Sequence, residues 1–405
     1  MAESTRRSGA VSNDPAPVDA AQASVPVRPT PGPSVRVWDV PTRLFHWLLV
    51  GAVATALLTG FVAPEWWLGV HLGAGYLIVV LLAGRLTWGV LGPEYSRIAS
   101  MVAATRRLPE HLRGLMMLRP PHHLGHNPAG SVMILALIGV LTALVVTGLL
   151  VQGGEEKQGP FAGITSYAVG SAAKTVHSAL VWLLLAMIAL HITGVLVETL
   201  VFRQPILRAM ITGWMPLPAD VTVPDAPRRA RPVAALATLG VLTGAAALGL
   251  EALGRLPPLR VPVMVADPQW AEECGACHAV FHPSLLPRAS WQRLMAGLDD
   301  HFGEDASLPE PTRMAVAAFL DRYAAEAWDT EAARRLAVVD PGDPTRITAA
   351  PFWRRKHAGI DPALFATKPV GSRANCGACH RDAATGRFDD QAIALPDPAS
   401  GGPTS

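Results

Sequence analysis

The chain has 405 residues, of which half are hydrophobic and only 16% charged. That balance argues against an ordinary fully soluble globular protein and fits a chain that is part membrane, part aqueous. A formal net charge of +2 gives no electrostatic basis for binding nucleic acid, and the cysteines fall into two close pairs that leave none over for a structural disulfide.

Residues 1–34 are rich in Ala, Pro and Ser, without an apolar core segment or a small-residue cleavage site. They read as a disordered cytoplasmic tail and not as a cleaved signal peptide. Five apolar stretches follow, at about 44–63, 68–91, 131–151, 174–200 and 232–250. Each is long enough to cross a bilayer as a helix, which takes roughly 20 residues. Their ends carry Trp47, Trp66, Trp67, Trp88 and Trp182, as interfacial anchors would. The loop after the second stretch holds Arg97, Arg106, Arg107, Arg113 and Arg119, and the loop after the fourth holds Arg203, Arg208, Arg228, Arg229 and Arg231. The loops on the other side hold only Lys157. The positive-inside bias therefore puts the N-terminus inside and everything after the fifth span outside, in the periplasm of a bacterium.

Histidines mark the spans. His46, His71, His177 and His191 lie in or at the ends of apolar segments, where an ionisable side chain is costly and signals function. His177 and His191 are 14 residues apart on one helix, which places them on nearly one face about 21 Å apart. Depth then pairs His46 with His191 on the inner side and His71 with His177 on the outer side, as ligands of two b-haems stacked across a helical bundle. The competing reading, four unrelated histidines bonded to neighbouring helices, does not account for both depth matches.

Residues 38–47, Trp-Asp-Val-Pro-Thr-Arg-Leu-Phe-His-Trp, and 125–130, Gly-His-Asn-Pro-Ala-Gly, resemble the prokaryotic cytochrome b561 and Ni-Fe hydrogenase cytochrome b family over about 36–215. The resemblance implies a four-helix membrane domain with b-haems on His46, His71, His177 and His191. The fifth span is not part of that core and reads as a link. Arg43 and Arg85 lie near the inner haem level, where they either pair with haem propionates or snorkel to the headgroups. His122, His123 and His126 read as a polar loop before a quinone pocket or proton relay, and His111 has no assigned role.

From about 254 onward the sequence is richer in charge and Pro, with short helical patches such as 291–298 and 313–326. So little sustained periodicity points to a fold organised around a cofactor. Cys274-Gly275-Ala276-Cys277-His278 and its repeat Cys376-Gly377-Ala378-Cys379-His380 have the pattern of covalent c-haem attachment. Two thiols bond the vinyl groups of one haem, and the next histidine ligates its iron. A zinc site would need the two pairs to meet and would leave both histidines as coincidence. Sixth-ligand candidates are His282, His301 and His357, with Met295 and Met314 as weaker rivals. The segments around 291–306 and 346–357 resemble the dihaem cytochrome c family, over most of 266–390. That resemblance implies two histidines on each iron and carries over to His301 and His357 as the distal ligands. Spacing does not show which serves which haem. His282, four residues after His278, reads as solvated or propionate-side.

The expected organisation is all-α. It comprises a disordered tail (1–34), a transmembrane cytochrome b domain of four helices (35–215), a cytoplasmic linker and fifth transmembrane helix (216–253), a loop-rich periplasmic dihaem cytochrome c domain (254–390) and a second tail (391–405). Iron held by two histidines has no open position and carries electrons. The expected function is electron transfer between the membrane quinone pool and a periplasmic partner, such as a small soluble cytochrome c, in either direction, with quinol:cytochrome c oxidoreductase as the activity. The alternative is a cytochrome b anchor subunit of a periplasmic dehydrogenase or hydrogenase delivering electrons to quinone; the fused c-domain already fills its docking position. A zinc-stapled scaffold is the non-redox reading. The oligomeric state stays open.

Overall fold

The computed structural model describes residues 34–118, 123–217, 228–368 and 370–396. Of the tail expected at 1–34, all but Ser34 lies outside these residues, as do Arg119, His122, the linker at 218–227 and the end of the second tail.

Five helices are long and apolar enough to span a membrane: α1 (Val40–Phe61), α2 (Leu68–Leu91), α5 (Pro128–Gly154), α6 (Tyr167–Leu196) and α8 (Pro232–Gly254). Between α2 and α5 lie two short helices, α3 (Ile98–Thr105) and α4 (Leu108–Met116), and α7 (Ile206–Thr212) follows α6. Local signals set the starts. Asp39 accepts from the Thr42 amide to cap α1, with Pro41 in the first turn. Asn127 caps α5 ahead of Pro128, and Ser166 caps α6 at the Val169 amide. The Ser166 cap starts α6 seven residues before the expected 174, because the polar first turns belong to the helix although they do not belong to the apolar run.

The bundle packs around Ala52, Ile78, Leu82, Leu141, Leu144 and Leu184, which come from α1, α2, α5 and α6. At one end α5 and α6 close on each other through Gly154 and Gly170. A Cβ on Gly154 would lie 2.6 Å from the Gly170 Cα, so only glycine allows this approach. Helix α8 leans on α2.

Among the described residues the regular elements are helical apart from one small ladder and two isolated bridges. Strand β1 (Ser34–Arg36) pairs antiparallel with β2 (Trp214–Pro216), Ser34 opposite Pro216. With Val37, Trp38, Ala209 and Met215 packed beside it, the ladder closes the bundle end that holds α3, α4 and α7. This is the ladder end. The opposite end, where α1 leads into α2 and α5 into α6, carries the C-terminal lobe.

The lobe contains α9 (Pro268–Gly275), α10 (Arg288–Ala296), α11 (Glu310–Tyr323), α12 (Glu331–Leu336) and α13 (Pro351–Lys356), separated by loops and single 3-10 turns. Its larger core comprises Trp270, Leu286, Trp291, Met295, Leu298, Val316, Leu320 and Ala324. Its smaller one holds Leu285, Ala332, Leu336 and Ala350. Polar bonds seat the lobe on the bundle. Lys157 reaches Asp329 at 2.9 Å, Lys356 reaches Glu65 at 2.7 Å, Gln158 donates to Asp389 at 2.6 Å, and the Leu259 amide donates to the Ala162 carbonyl at 2.9 Å.

Candidate functional site

An imidazole nitrogen lies about 2.0–2.1 Å from a first-row metal it ligates and about 1.1 Å from its own ring centroid, so two rings across one iron have centroids roughly 6.3 Å apart. Three histidine pairs meet that test. His71 on α2 and His177 on α6 have centroids 6.4 Å apart at the lobe end of the bundle. In the lobe, His278 and His301 are 6.2 Å apart, and His357 and His380 are also 6.2 Å apart. The fourth expected pair, His46 and His191, lies within electrostatic range at the ladder end, and the His46 Nδ1 is buried without a hydrogen-bond partner.

Backbone and side chains aim these rings. His278 Nδ1 lies 2.8 Å from the Ala279 carbonyl, and His357 Nδ1 lies 2.8 Å from the Trp353 carbonyl. A donor at Nδ1 leaves the Nε2 lone pair for a metal. His357 also stacks on Trp353 with centroids 4.2 Å apart and planes 14° apart. Burial pulls His301, His357 and His380 below the ordinary 6.5, so their rings are neutral near pH 7, the form that ligates. None of the four cysteines is in a disulfide, and among the described residues no three or more His, Cys, Asp or Glu side chains group as a metal site would need.

The structure thus places His301 by the first motif and His357 by the second. It also separates the motifs by position. Lys356, adjacent to His357, bonds Glu65 in the turn just before α2, so the second motif lies against the bundle. His301 instead neighbours Phe302, over which the Arg346 guanidinium sits at 4.4 Å.

Other residues fall differently from expectation. His282 is not solvated: it is 1% exposed, its Nδ1 bonds Ser284 and its Nε2 bonds the Val263 carbonyl. Met295 is core and Met314 is 58% exposed. Arg85 does not snorkel; it is buried and bonds the Ser96 carbonyl and the Met101 sulfur. Arg43 donates to the Ile211 carbonyl, and its Nε is buried without a partner. His126 packs on Trp38 at 4.3 Å.

Sequence reasoning missed a buried polar group at the ladder end. His111, 1% exposed, lies 3.8 Å from Glu198 and 5.5 Å, centroid to centroid, from His123. Asn127 donates to the same Glu198 carboxylate at 2.9 Å. The available signal was the acid itself, seven residues beyond His191 and on the same helix face. At the lobe end, Glu156 and Asp390 lie among Glu65, Glu155, Glu331, Lys174 and Lys356. Burial, then Asp390, pushes the Glu156 carboxyl up to about 8. Burial lifts Asp390 to about 6 against the pull of Lys356.

Residues 37–213 match the family of prokaryotic cytochrome b561, and residues 270–388 match that of dihaem cytochrome c. The chain is a cytochrome b561 domain followed by a dihaem cytochrome c domain. The cytochrome b561 part is 24% identical over 211 residues to a probable Ni/Fe-hydrogenase B-type cytochrome subunit of Azotobacter chroococcum, covering 45% of this chain and 88% of that protein. A probable Ni/Fe-hydrogenase 1 B-type cytochrome subunit of Escherichia coli is 24% identical over 209 residues, covering 44% and 89%. The dihaem cytochrome c part is 40% identical to a dihaem cytochrome c from Rhodobacter sphaeroides of known structure, covering 31% of this chain and 99% of that one, with a TM-score of 0.28. A dihaem cytochrome c from Shewanella baltica is 30% identical, covering 32% and 92%, with a TM-score of 0.26. The two family matches give this membrane electron-transfer chain both b-type and c-type haem.

Proposed function

We propose that the protein carries electrons between the quinone pool of a bacterial inner membrane and a periplasmic redox partner, through two b-type and two c-type haems. The observation that carries the reading is the placement of the histidine pairs. His46 and His191 stand at the ladder end and His71 and His177 at the lobe end. His357 and His380 sit where the lobe meets the bundle, and His278 and His301 sit elsewhere in the lobe. In this reading each pair ligates one iron, and Cys274, Cys277, Cys376 and Cys379 hold the two c-haems. Bound haem supplies one-electron chemistry.

The chain's own residues supply order and insulation. The second motif, held at the bundle by Lys356 and Glu65, is the relay between membrane and periplasm, and the first motif faces the soluble partner. The arginine-rich loops flank the ladder end and favour a cytoplasmic position for it. Arg43 lies three residues from His46 on the same face of α1, and its unpartnered Nε suits a propionate of the inner haem. Arg85 gives the Ser96 carbonyl and the Met101 sulfur only two of its five N–H donors, and it stays the second candidate for a propionate.

The test is reduction of the purified protein by a quinol analogue, followed separately in the b and c α-bands. Reduction of the c-band through the b-haems is expected. A c-band that stays oxidised while the b-band reduces would overturn the conduit. A second reading, delivery of electrons from a hydrogenase-type partner into quinone, is favoured by the names of the relatives. The lobe stands against it, since it covers the bundle end where such a partner would dock. Stable co-purification with an iron-sulfur or nickel subunit would reverse the ranking.

A further inference from the structure

The two halves of the bundle repeat one local device at the lobe end. His71 Nδ1 lies 3.1 Å from the Ala56 carbonyl and 3.1 Å from Thr59 Oγ1 on α1. His177 Nδ1 lies 3.0 Å from Thr147 Oγ1 on α5 and also bonds the Leu144 carbonyl. In each case the carbonyl belongs to residue i and the hydroxyl to i+3, and a glycine follows: 56–60 reads Ala-Leu-Leu-Thr-Gly and 144–148 reads Leu-Val-Val-Thr-Gly. A Cβ on Gly60 would lie 3.5 Å from His71 Cε1, and one on Gly148 would lie 3.4 Å from His177 Cε1. Both imidazoles bring their Nδ1–Cε1 edge up to a helix at a point where no side chain intervenes.

The hydroxyl hydrogens are already committed. Thr59 Oγ1 donates to the Thr55 carbonyl at 2.7 Å, and Thr147 Oγ1 donates to the Ala143 carbonyl at 2.9 Å. Each oxygen therefore accepts from Nδ1–H. That fixes the proton on Nδ1 and leaves the Nε2 lone pair of each ring free for a metal, with the two ring centroids 6.4 Å apart. At the ladder end, His46 Nδ1 has no such acceptor among the described residues.

We propose that Thr59-Gly60 and Thr147-Gly148 form a two-fold cradle of positioning residues that sets the tautomer and donor strength of His71 and His177, the two histidines that would hold the lobe-end b-haem. The proposal rests on the assignment of His71 and His177 as ligands. An acceptor on Nδ1–H makes the imidazole a stronger donor and favours the oxidised iron. The cradle thus lowers the potential of that haem relative to the one at the ladder end.

The test uses the full-length protein with its haems. Redox titration in the b α-band and electron paramagnetic resonance of the ferric haems are compared for Thr59→Val, Thr147→Val, Thr59→Ser and Thr147→Ser. Each valine variant is expected to shift one b midpoint upward and alter one b signal, leaving the other b-haem and the c-band in place, while serine restores the original values. Unmoved b midpoints in both valine variants, or serine variants that shift as far as valine, would overturn it. Gly60→Leu and Gly148→Leu are expected to weaken retention of one extractable haem by ~10-fold or more, with covalent haem content unchanged as the control for folding. Gly60→Ala and Gly148→Ala keep it, because a lone Cβ fits at these distances. Full retention in the leucine variants would equally overturn the proposal. His71→Ala and His177→Ala separate the two levels. If they too leave both extractable haems, the ligand assignment has failed. If they remove one haem while the threonine and glycine variants change nothing, only the cradle has failed.

Discussion

Asp329→Ala would unseat the C-terminal lobe. The Asp329 carboxylate is 7% exposed and accepts from Lys157 at 2.9 Å, from the Tyr167 amide at 2.8 Å and from Arg334 at 3.3 Å. Its loss leaves the Lys157 ammonium, itself 2% exposed, with only the Thr165 carbonyl at 3.0 Å. Breaking a buried pair in this way costs about 3–5 kcal/mol. Burial already pulls Lys157 below its usual range, so it can shed its proton, and the lower figure of about 3 kcal/mol applies. That is roughly a hundredfold in the population of the undocked state. The readout is hydrogen exchange at the Leu259 amide, whose acceptor is the Ala162 carbonyl of the bundle. Exchange there should quicken by about 100-fold, while amides in the middle of α5 keep their protection. Lys157→Met combined with Asp329→Leu should recover most of the loss, because no buried charge is left unpaired. An acceleration under about fivefold in Asp329→Ala, the scale of an exposed ion pair, would refute the reasoning. Burial alone would raise the Asp329 carboxyl, but the Lys157 hydrogen bond and the Tyr167 amide hold it below 3.8. Its contribution is therefore complete above that value and is lost as pH falls through the lowered one.

Three further outcomes follow from the same geometry. His191→Ala should remove one extractable haem and leave covalent haem intact, and an unchanged b-band would refute the pairing with His46. His357→Ala should open one c-haem to carbon monoxide, and His301→Ala the other; a variant whose c-band ignores the gas would show that the removed histidine is not a ligand. Glu156, raised to about 8 chiefly by burial, favours docking in its protonated form. Its contribution is full below the ordinary 4.5 and is lost as pH rises through about 8. Leu259 exchange, corrected for its intrinsic pH dependence, should thus quicken between pH 7 and 9 in the native protein and stay flat in Glu156→Gln. The same rise in both would exclude Glu156 as its source.

Much of this was legible because the strongest signals are local. An apolar run of span length, a Cys-x-x-Cys-His pentapeptide and a histidine in a membrane helix each carry their meaning within a few residues. The pairing of His301 with His278 and of His357 with His380 was not legible, since it depends on how five short helices pack. Lys157 looked like a lone exception to the charge bias of the loops. Its partner is 172 residues away, beyond any spacing rule. The same distance problem hid the ladder, whose two strands of three residues are too short to show alternation. His282 misled for the opposite reason: its closeness to His278 suggested the haem edge, while its ring is spent bonding Ser284 and Val263. Thr59 and Thr147 went unnoticed because a threonine in a membrane helix ordinarily bonds its own backbone, and both do that as well.

The most direct measurement is the haem content of the purified full-length protein, by pyridine haemochrome spectra taken before and after acid-acetone extraction. Two haems per chain should be extracted as b-type and two should stay attached as c-type. Absence of covalent haem, or extraction of fewer than two b-haems from fully loaded protein, would contradict a chain of four centres running from the ladder end to the lobe.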